Sequence, residues 1–122
     1  MTGKAIAIVD DDEAVQDSLR AVLETNGYVV STFSSGREFL DSLTDKPVSC
    51  LILDINLPEM SGWEIMDRLR QDRCMPPTII VTGHGNAHSR RLAERSGVRS
   101  FVEKPLDVGT LLELVDQVFD TT

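Results

Sequence analysis

Apolar and polar positions along this chain follow two patterns in turn, one typical of buried strands and one typical of amphipathic helices. Short apolar runs rich in Ile, Val and Leu predict five strands, at residues 4–9, 28–33, 48–53, 78–81 and 99–102. The run at 48–53 is apolar on both faces, which is typical of a central parallel strand. Strand and helix patterns therefore alternate from one end of the chain to the other.

Five helices are predicted between and after these strands from the apolar spacing. In chain order they run from Val15 to Asn26-Gly27, from Phe39 to before Pro47, over 63–71, over 87–96 with Gly97 just beyond, and from Val108 to Phe119. Five βα units joined by short loops predict an α/β fold, a (βα)5 parallel sheet wound on both faces. The flavodoxin-like strand order 2-1-3-4-5 is expected, with its switch point between strands 1 and 3.

Composition and charge limit the class of protein. The chain has 122 residues, 41% apolar and 26% charged, so residues 1–122 are expected to form a single globular domain. No apolar run approaches the ~20 residues that span a bilayer, and Met1 leads into a strand without a signal peptide, so a cytoplasmic location is expected. Cys50 and Cys74 are then expected to be free thiols. The net charge of -8 argues against direct nucleic-acid binding.

Polar side chains of four kinds stand at the ends of the predicted strands. Three consecutive acids, 10–12, follow the first strand, Asp54 follows the third, Thr82 the fourth and Lys104 the fifth. In an open parallel sheet, ligands bind in the crevice outside the carboxyl ends of the strands. Acids for Mg²⁺, a carboxylate nucleophile, a hydroxyl and a cation together predict a site that accepts a phosphoryl group.

Each of these side chains also has an ordinary structural explanation. The acids at 10–13 favour a helix N-terminus through capping and the helix dipole. Lys104 suits a surface salt bridge to Glu103 or to an acid of the cluster, and Thr82 suits a strand end because it is β-branched. The occurrence of all four kinds of side chain at strand ends, in this order, favours the functional interpretation.

Six short strings stand out along the chain: Ile8-Val9-Asp10-Asp11-Asp12, Leu53-Asp54, Leu57-Pro58, Ser61-Gly62, Val81-Thr82-Gly83-His84-Gly85 and Phe101-Val102-Glu103-Lys104-Pro105. They resemble the receiver domain of two-component response regulators. The resemblance extends over essentially the whole chain and implies a CheY-like fold. The Thr-Gly-His-Gly stretch most resembles the FixJ/NarL-type branch, whose members usually carry a C-terminal helix-turn-helix DNA-binding domain.

The resemblance implies a metal-dependent phosphorylation site. Asp54 would be the phosphorylated residue. Mg²⁺, or Mn²⁺ in its place, would be bound directly by Asp11, by Asp54 and by the backbone carbonyl of Asn56, and through water by Asp10. Asp12 is expected to begin the first helix instead. Asn56 and His84 occupy positions that tune hydrolysis of the aspartyl phosphate in this family.

The resemblance also implies how phosphorylation is transmitted. Lys104 would contact the phosphoryl oxygens, and the bond before Pro105 would be cis. Thr82 would move toward the phosphoryl group while Phe101 turns inward, although permanent core packing explains Phe101 equally well. The surface formed by helix 4, strand 5 and helix 5 would carry the output and a possible homodimer contact of the phosphorylated form.

Helix 4 departs from the apolar stripe that is usual in the family. It carries His88, Arg90, Arg91, Glu94 and Arg95. A basic face that binds a partner, or a second copy of the chain, is one interpretation. A solvated helix with little packing of its own is the other, and the sequence leaves both open.

The expected function is a signalling module that takes a phosphoryl group from a sensor histidine kinase or a phosphotransfer protein. It would catalyse only its own phosphorylation and dephosphorylation, and would control a C-terminal output domain or act as a free-standing regulator. An aspartyl-phosphate phosphohydrolase would want an acid where Asn56 stands. A flavodoxin-like cofactor carrier is disfavoured, because an acid-lined switch point would repel the phosphate of a flavin. A degenerate receiver that only binds partners is disfavoured too, because the acid, hydroxyl and lysine positions are all filled. No membrane contact is expected.

Overall fold

A computed structural model describes residues 4–43, 48–73, 75–83, 87–96, 98 and 100–120. Pro47, Cys74, His84 and Gly97, which figure in the sequence predictions, lie outside these residues. Within the described chain the elements are, in order, β1 (Ala5–Val9), α1 (Glu13–Thr25), β2 (Val29–Phe33), α2 (Gly36–Ser42), β3 (Cys50–Asp54), α3 (Gly62–Gln71), β4 (Thr78–Thr82), α4 (Ala87–Ser96), β5 (Ser100–Glu103) and α5 (Val108–Asp120). None of the described helices combines the length and apolar character needed to cross a bilayer.

The strands form one parallel sheet in the order β2-β1-β3-β4-β5, which confirms the predicted fold class and strand order. The register places Asp54 beside Val81 and Thr82 beside Glu103. The carboxyl ends of β1, β3, β4 and β5 therefore lie along one edge of the sheet, where the predicted site residues stand.

Alternate residues of each central strand pack on opposite faces of the sheet, as the two-residue period of a strand requires. Ile8 and Ile52 belong to the apolar cluster that α1 and α5 cover. Val9 and Leu53 belong to the cluster that α2 and α3 cover. Every residue of β3 and β4 is buried, because helices lie on both faces. Asp54 and Thr82 are the last residues of these two strands, at the carboxyl edge of the sheet.

The first helix begins and ends where its polar residues predict. Asp12 is its N-cap, and the Asp12 carboxylate accepts hydrogen bonds from the N–H groups of Ala14 and Val15. Asn26 is the C-cap, and Gly27 follows with φ of 91°, a left-handed conformation that glycine adopts without strain. The third acid of the 10–12 run is therefore used for capping, which leaves the first two for the site.

Candidate functional site

Three carboxylates meet at the carboxyl edge of the sheet. Asp10 and Asp11 follow β1 and Asp54 ends β3, and one carboxylate oxygen of each lies within 4.8 Å of the others. Asp10 and Asp54 are each only 3% exposed, whereas Asp11 faces solvent. Clustered carboxylate oxygens are the donors that Mg²⁺ and Mn²⁺ prefer, so these residues suit a hard divalent cation.

A single lysine bridges the two buried carboxylates. The Nζ atom of Lys104 lies 3.1 Å from Oδ2 of Asp10 and 3.1 Å from Oδ2 of Asp54. The backbone N–H of Lys104 donates to the carbonyl of Thr82 at 2.7 Å, which continues the β4–β5 ladder past the end of β5. The Lys104–Pro105 peptide bond is cis. The pairing of β4 with β5 thus places the Lys104 ammonium group beside Asp10 and Asp54.

Burial sets the electrostatics of this cluster. Loss of solvation raises the pKa of Asp10 above its ordinary value of 3.8; the Asp12 N–H opposes this, the Asp54 charge adds to it, and Lys104 opposes it. Burial by itself lowers the pKa of Lys104, but the hydrogen bonds and charges of Asp54 and Asp10 together raise it above 10.5. Lys104 is therefore firmly protonated. Ionisation of the neighbouring Asp10 carboxylate lowers the stability of the folded protein.

Asp10→Asn is expected to raise the Tm of the metal-free protein at neutral pH. Because the pKa of Asp10 is raised in the folded state, the folded chain holds this proton more tightly than the unfolded chain does. Stability is then lost as the pH rises from 3.8 through the raised pKa. Thermal unfolding in EDTA should show a variant advantage at pH 7 that shrinks toward pH 4. Asp17→Asn, at an exposed acid of α1, is the control; an equal Tm of Asp10→Asn and wild type at every pH would contradict the expectation.

The asparagine two residues after Asp54 links the acid to the hydroxyl of β4. Its backbone N–H donates to Oδ1 of Asp54 at 2.8 Å, and its side-chain Nδ2 donates to Oγ1 of Thr82 at 2.7 Å. Thr82 is fully buried. The bond between the Asn56 amide and the Thr82 hydroxyl was not expected from sequence, since the two residues lie 26 positions apart.

A glycine fixes the segment that follows Asp54. A Cβ atom on Gly62 would lie 2.7 Å from Cα of Ile55, closer than side chains tolerate. The Gly62 N–H donates to the carbonyl of Ile55 at 3.2 Å. The start of α3 is thus packed directly against the backbone next to Asp54.

The aromatic residue of β5 is held by an arginine of α4. Phe101 is partly buried and packs against the cluster under α2 and α3. The guanidinium carbon of Arg90 lies 5.1 Å from the centre of the Phe101 ring, and Arg90 Nη2 lies 3.0 Å from Oε1 of Glu103. Arg90 therefore binds within its own chain, and it is exposed on α4 together with Arg91 and Arg95.

One polar residue next to the site was missed by the sequence reading. Gln16 is buried with Leu19 and Leu23 on the inner face of α1, and its side chain reaches the carbonyl of Asp10. A glutamine at helical spacing within an apolar face is a detectable signal, because a buried amide needs hydrogen-bond partners.

Comparison with known proteins identifies the family. The family model for the response regulator receiver domain matches residues 6–116. The chain belongs to this family, and it is a receiver domain of the two-component type. The prediction from its strand-end motifs is confirmed at this level.

Curated relatives and solved structures agree with the assignment. The chain is 32% identical to the transcriptional regulatory protein FixJ of Bradyrhizobium diazoefficiens over 117 residues, 95% of this chain and 57% of FixJ. It is 36% identical to the DNA-binding transcriptional regulator NtrC of Klebsiella pneumoniae over 90% of this chain and 24% of NtrC. The chain thus spans about half or less of these relatives.

Two solved receiver structures are similar over nearly their full length. The crystal structure of FixJ-N has a TM-score of 0.86 at 31% identity and covers 100% of this chain and 98% of its own. The solution structure of the beryllofluoride-activated NtrC4 receiver domain dimer has a TM-score of 0.89 at 29% identity, covering 97% and 98%. Both support the CheY-like fold.

Proposed function

We propose that residues 1–122 act as one receiver domain that accepts a phosphoryl group on Asp54 from a sensor histidine kinase or a phosphotransfer protein. The observation that carries the proposal is Oδ2 of Asp54, placed at the end of a central strand 3.1 Å from Lys104 and beside two further acids. The domain catalyses only its own phosphorylation and dephosphorylation.

The transfer has a simple balance. A carboxylate oxygen of Asp54 forms a bond to phosphorus while the P–N bond of the donor phosphohistidine breaks. The imidazole leaves with the bonding electron pair and takes a proton from water. The Lys104 ammonium group stabilises the negative charge of the transferred phosphoryl group. The Thr82 hydroxyl leaves the Asn56 amide and donates a hydrogen bond to a phosphoryl oxygen. Movement of the Thr82 hydroxyl away from Asn56 is the step that transmits phosphorylation to β5 and Phe101.

The acid cluster is proposed to hold Mg²⁺ or Mn²⁺. Asp11, Asp54 and the backbone carbonyl of Asn56 would be the direct ligands, with Asp10 acting through water. When bound, the ion neutralises charge on the transferring phosphoryl group. Asp11 is the exposed member of the cluster, so it would hold the ion from the solvent side.

Incubation with acetyl phosphate tests this function directly. With Mg²⁺ present, intact mass should show a single added phosphoryl group, and in EDTA it should show none, because the clustered carboxylates repel a phosphate without the cation. Phosphate release from acetyl phosphate distinguishes a short-lived adduct from an inert domain. No adduct together with no release above the protein-free rate would overturn the proposal.

The output is proposed to be control of transcription through a C-terminal helix-turn-helix domain. Similarity to FixJ and NtrC, both named as transcriptional regulators, supports this. Contact with that domain or with a second receiver is assigned to α4, β5 and α5. Exposed Arg91 and Arg95 of α4 and exposed Glu113 of α5 offer opposite charges for such a contact.

A further inference from the structure

Gln16 is a buried polar residue whose side chain converges on the end of β1. It is 8% exposed on the inner face of α1. Its Nε2 atom lies 2.5 Å from the carbonyl oxygen of Asp10, 3.2 Å from Oγ of Ser34 and 3.3 Å from the carbonyl oxygen of Phe33. A primary amide has two N–H donors, so both are used by these three acceptors.

These bonds fix the backbone of Asp10 on both sides. The Asp10 N–H donates to the carbonyl of Phe33 at 3.0 Å, and the Asp10 carbonyl accepts from Gln16. The Asp10 carboxylate is held in turn by the Asp12 N–H at 2.9 Å and by Lys104. The main chain at Asp10 is thereby fixed to the β2–α2 connection through the Gln16 amide.

We propose that Gln16 is a positioning residue for the cation site, holding the end of β1 so that Asp10 and Asp11 keep the spacing a divalent cation requires. The inference rests on the proposed function, since the cation site is part of it. Asp10 and Asp54 are both buried carboxylates that repel one another, and repulsion would move the end of β1 outward if nothing held it. Mg²⁺ tolerates little displacement of its ligands, because it demands near-ideal octahedral geometry.

A second hydrogen bond separates this role from simple docking of the helix. Arg20 lies one turn further along α1, and its Nη2 donates to Oγ1 of Thr32 in β2 at 3.3 Å. This bond attaches α1 to β2, as the Gln16–Phe33 bond does, but it does not involve Asp10. Removing it tests helix docking alone, whereas removing the Gln16 amide also frees the Asp10 carbonyl.

Gln16→Met is the informative variant, because methionine is unbranched, of similar length and without donors. Loss of a group that holds metal ligands in place typically weakens metal binding by about 10- to 100-fold, and we expect about tenfold for Mg²⁺ by calorimetric titration. Gln16 does not touch the phosphoryl group, so at saturating Mg²⁺ the rate of uptake from acetyl phosphate should return to within about twofold of wild type.

Arg20→Met is the matched control, with the same substituted side chain on the same helix. It should leave the dissociation constant for Mg²⁺ within about twofold of wild type. Equal weakening of Mg²⁺ binding in both variants would show that Gln16 only attaches α1 to the sheet, and it would overturn the proposal. So would a Gln16→Met protein that melts earlier but binds Mg²⁺ normally, or one whose uptake stays slow at saturating Mg²⁺.

Failure of Gln16→Met to fold and failure of the wild type to bind Mg²⁺ have different consequences. If Gln16→Met does not fold, Gln16→Asn keeps an amide but withdraws it by one methylene, and it should also bind Mg²⁺ more weakly than wild type. If wild type itself binds no Mg²⁺, the metal part of the proposed function fails and this inference falls with it. Normal binding by wild type and by both Gln16 variants overturns the positioning role alone.

Discussion

Asp54→Asn will reduce phosphoryl uptake from acetyl phosphate to background. An amide oxygen carries no full negative charge and does not form a stable bond to phosphorus, whereas a carboxylate does. Asparagine has nearly the same size, and its Oδ1 can still accept the N–H of Asn56, which lies 2.8 Å from Oδ1 of Asp54. The substitution therefore removes the nucleophile and keeps the local fold. Intact mass with Mg²⁺ and excess acetyl phosphate is the measurement.

The control for this variant changes charge without touching the site. Asp67 lies on the outer face of α3, and its side chain is 70% exposed. Asp67→Asn should take up one phosphoryl group as wild type does. Retained uptake of one phosphoryl group by Asp54→Asn under the same conditions would show that Asp54 is not the acceptor. Normal thermal unfolding of the variant would confirm that its inactivity is chemical.

Lys104→Met will slow phosphoryl uptake by about a hundredfold, the size of effect seen when one preorganised electrostatic group is removed from an active site. The Lys104 ammonium stands 3.1 Å from the Asp54 oxygen that we assign as acceptor, where the negative charge of the phosphoryl group would arrive. Methionine keeps the length of the side chain and removes the charge. Single-turnover kinetics at saturating Mg²⁺ measure the loss separately from any change in metal binding.

The same variant should respond more strongly to Mg²⁺. Without Lys104, Asp10 and Asp54 lose the ammonium group that contacts both, so a divalent ion is more strongly attracted. The rise in Tm between EDTA and Mg²⁺ should exceed that of wild type. Lys4→Met, at a lysine stacked on Phe119 at the opposite end of the sheet, should leave both quantities unchanged. Unchanged kinetics in Lys104→Met would remove Lys104 from the mechanism.

Much of the fold is predictable because the information is local. Short apolar runs identify every strand of the described chain and the 3.6-residue apolar period identifies its helices, and the βαβ connection rule then restricts the topology. Element ends are less accurate. Asp54 was placed after its strand and belongs to β3, because its backbone continues the ladder beside Val81 although its side chain is polar.

The candidate site was predictable in outline for a related reason. Parallel strands end at one edge, so polar residues that follow successive apolar runs are brought together whatever the loops between them do. Asp10, Asp11, Asp54 and Lys104 meet for this reason. Asp54→Asn and Lys104→Met test separately the acceptor carboxylate and the ammonium group beside it.

The sequence by itself determined the order of strands and helices, the layered α/β architecture and the edge at which charged residues gather, since these depend on periodicity and on strand ends. Tertiary structure alone decided which polar atoms touch. Asn56 meets Thr82, Arg90 covers Phe101 and Gln16 holds Asp10 because helices and strands pack at particular distances. Such contacts depend on the packed separation of elements remote in sequence, and no local pattern along the chain encodes that separation.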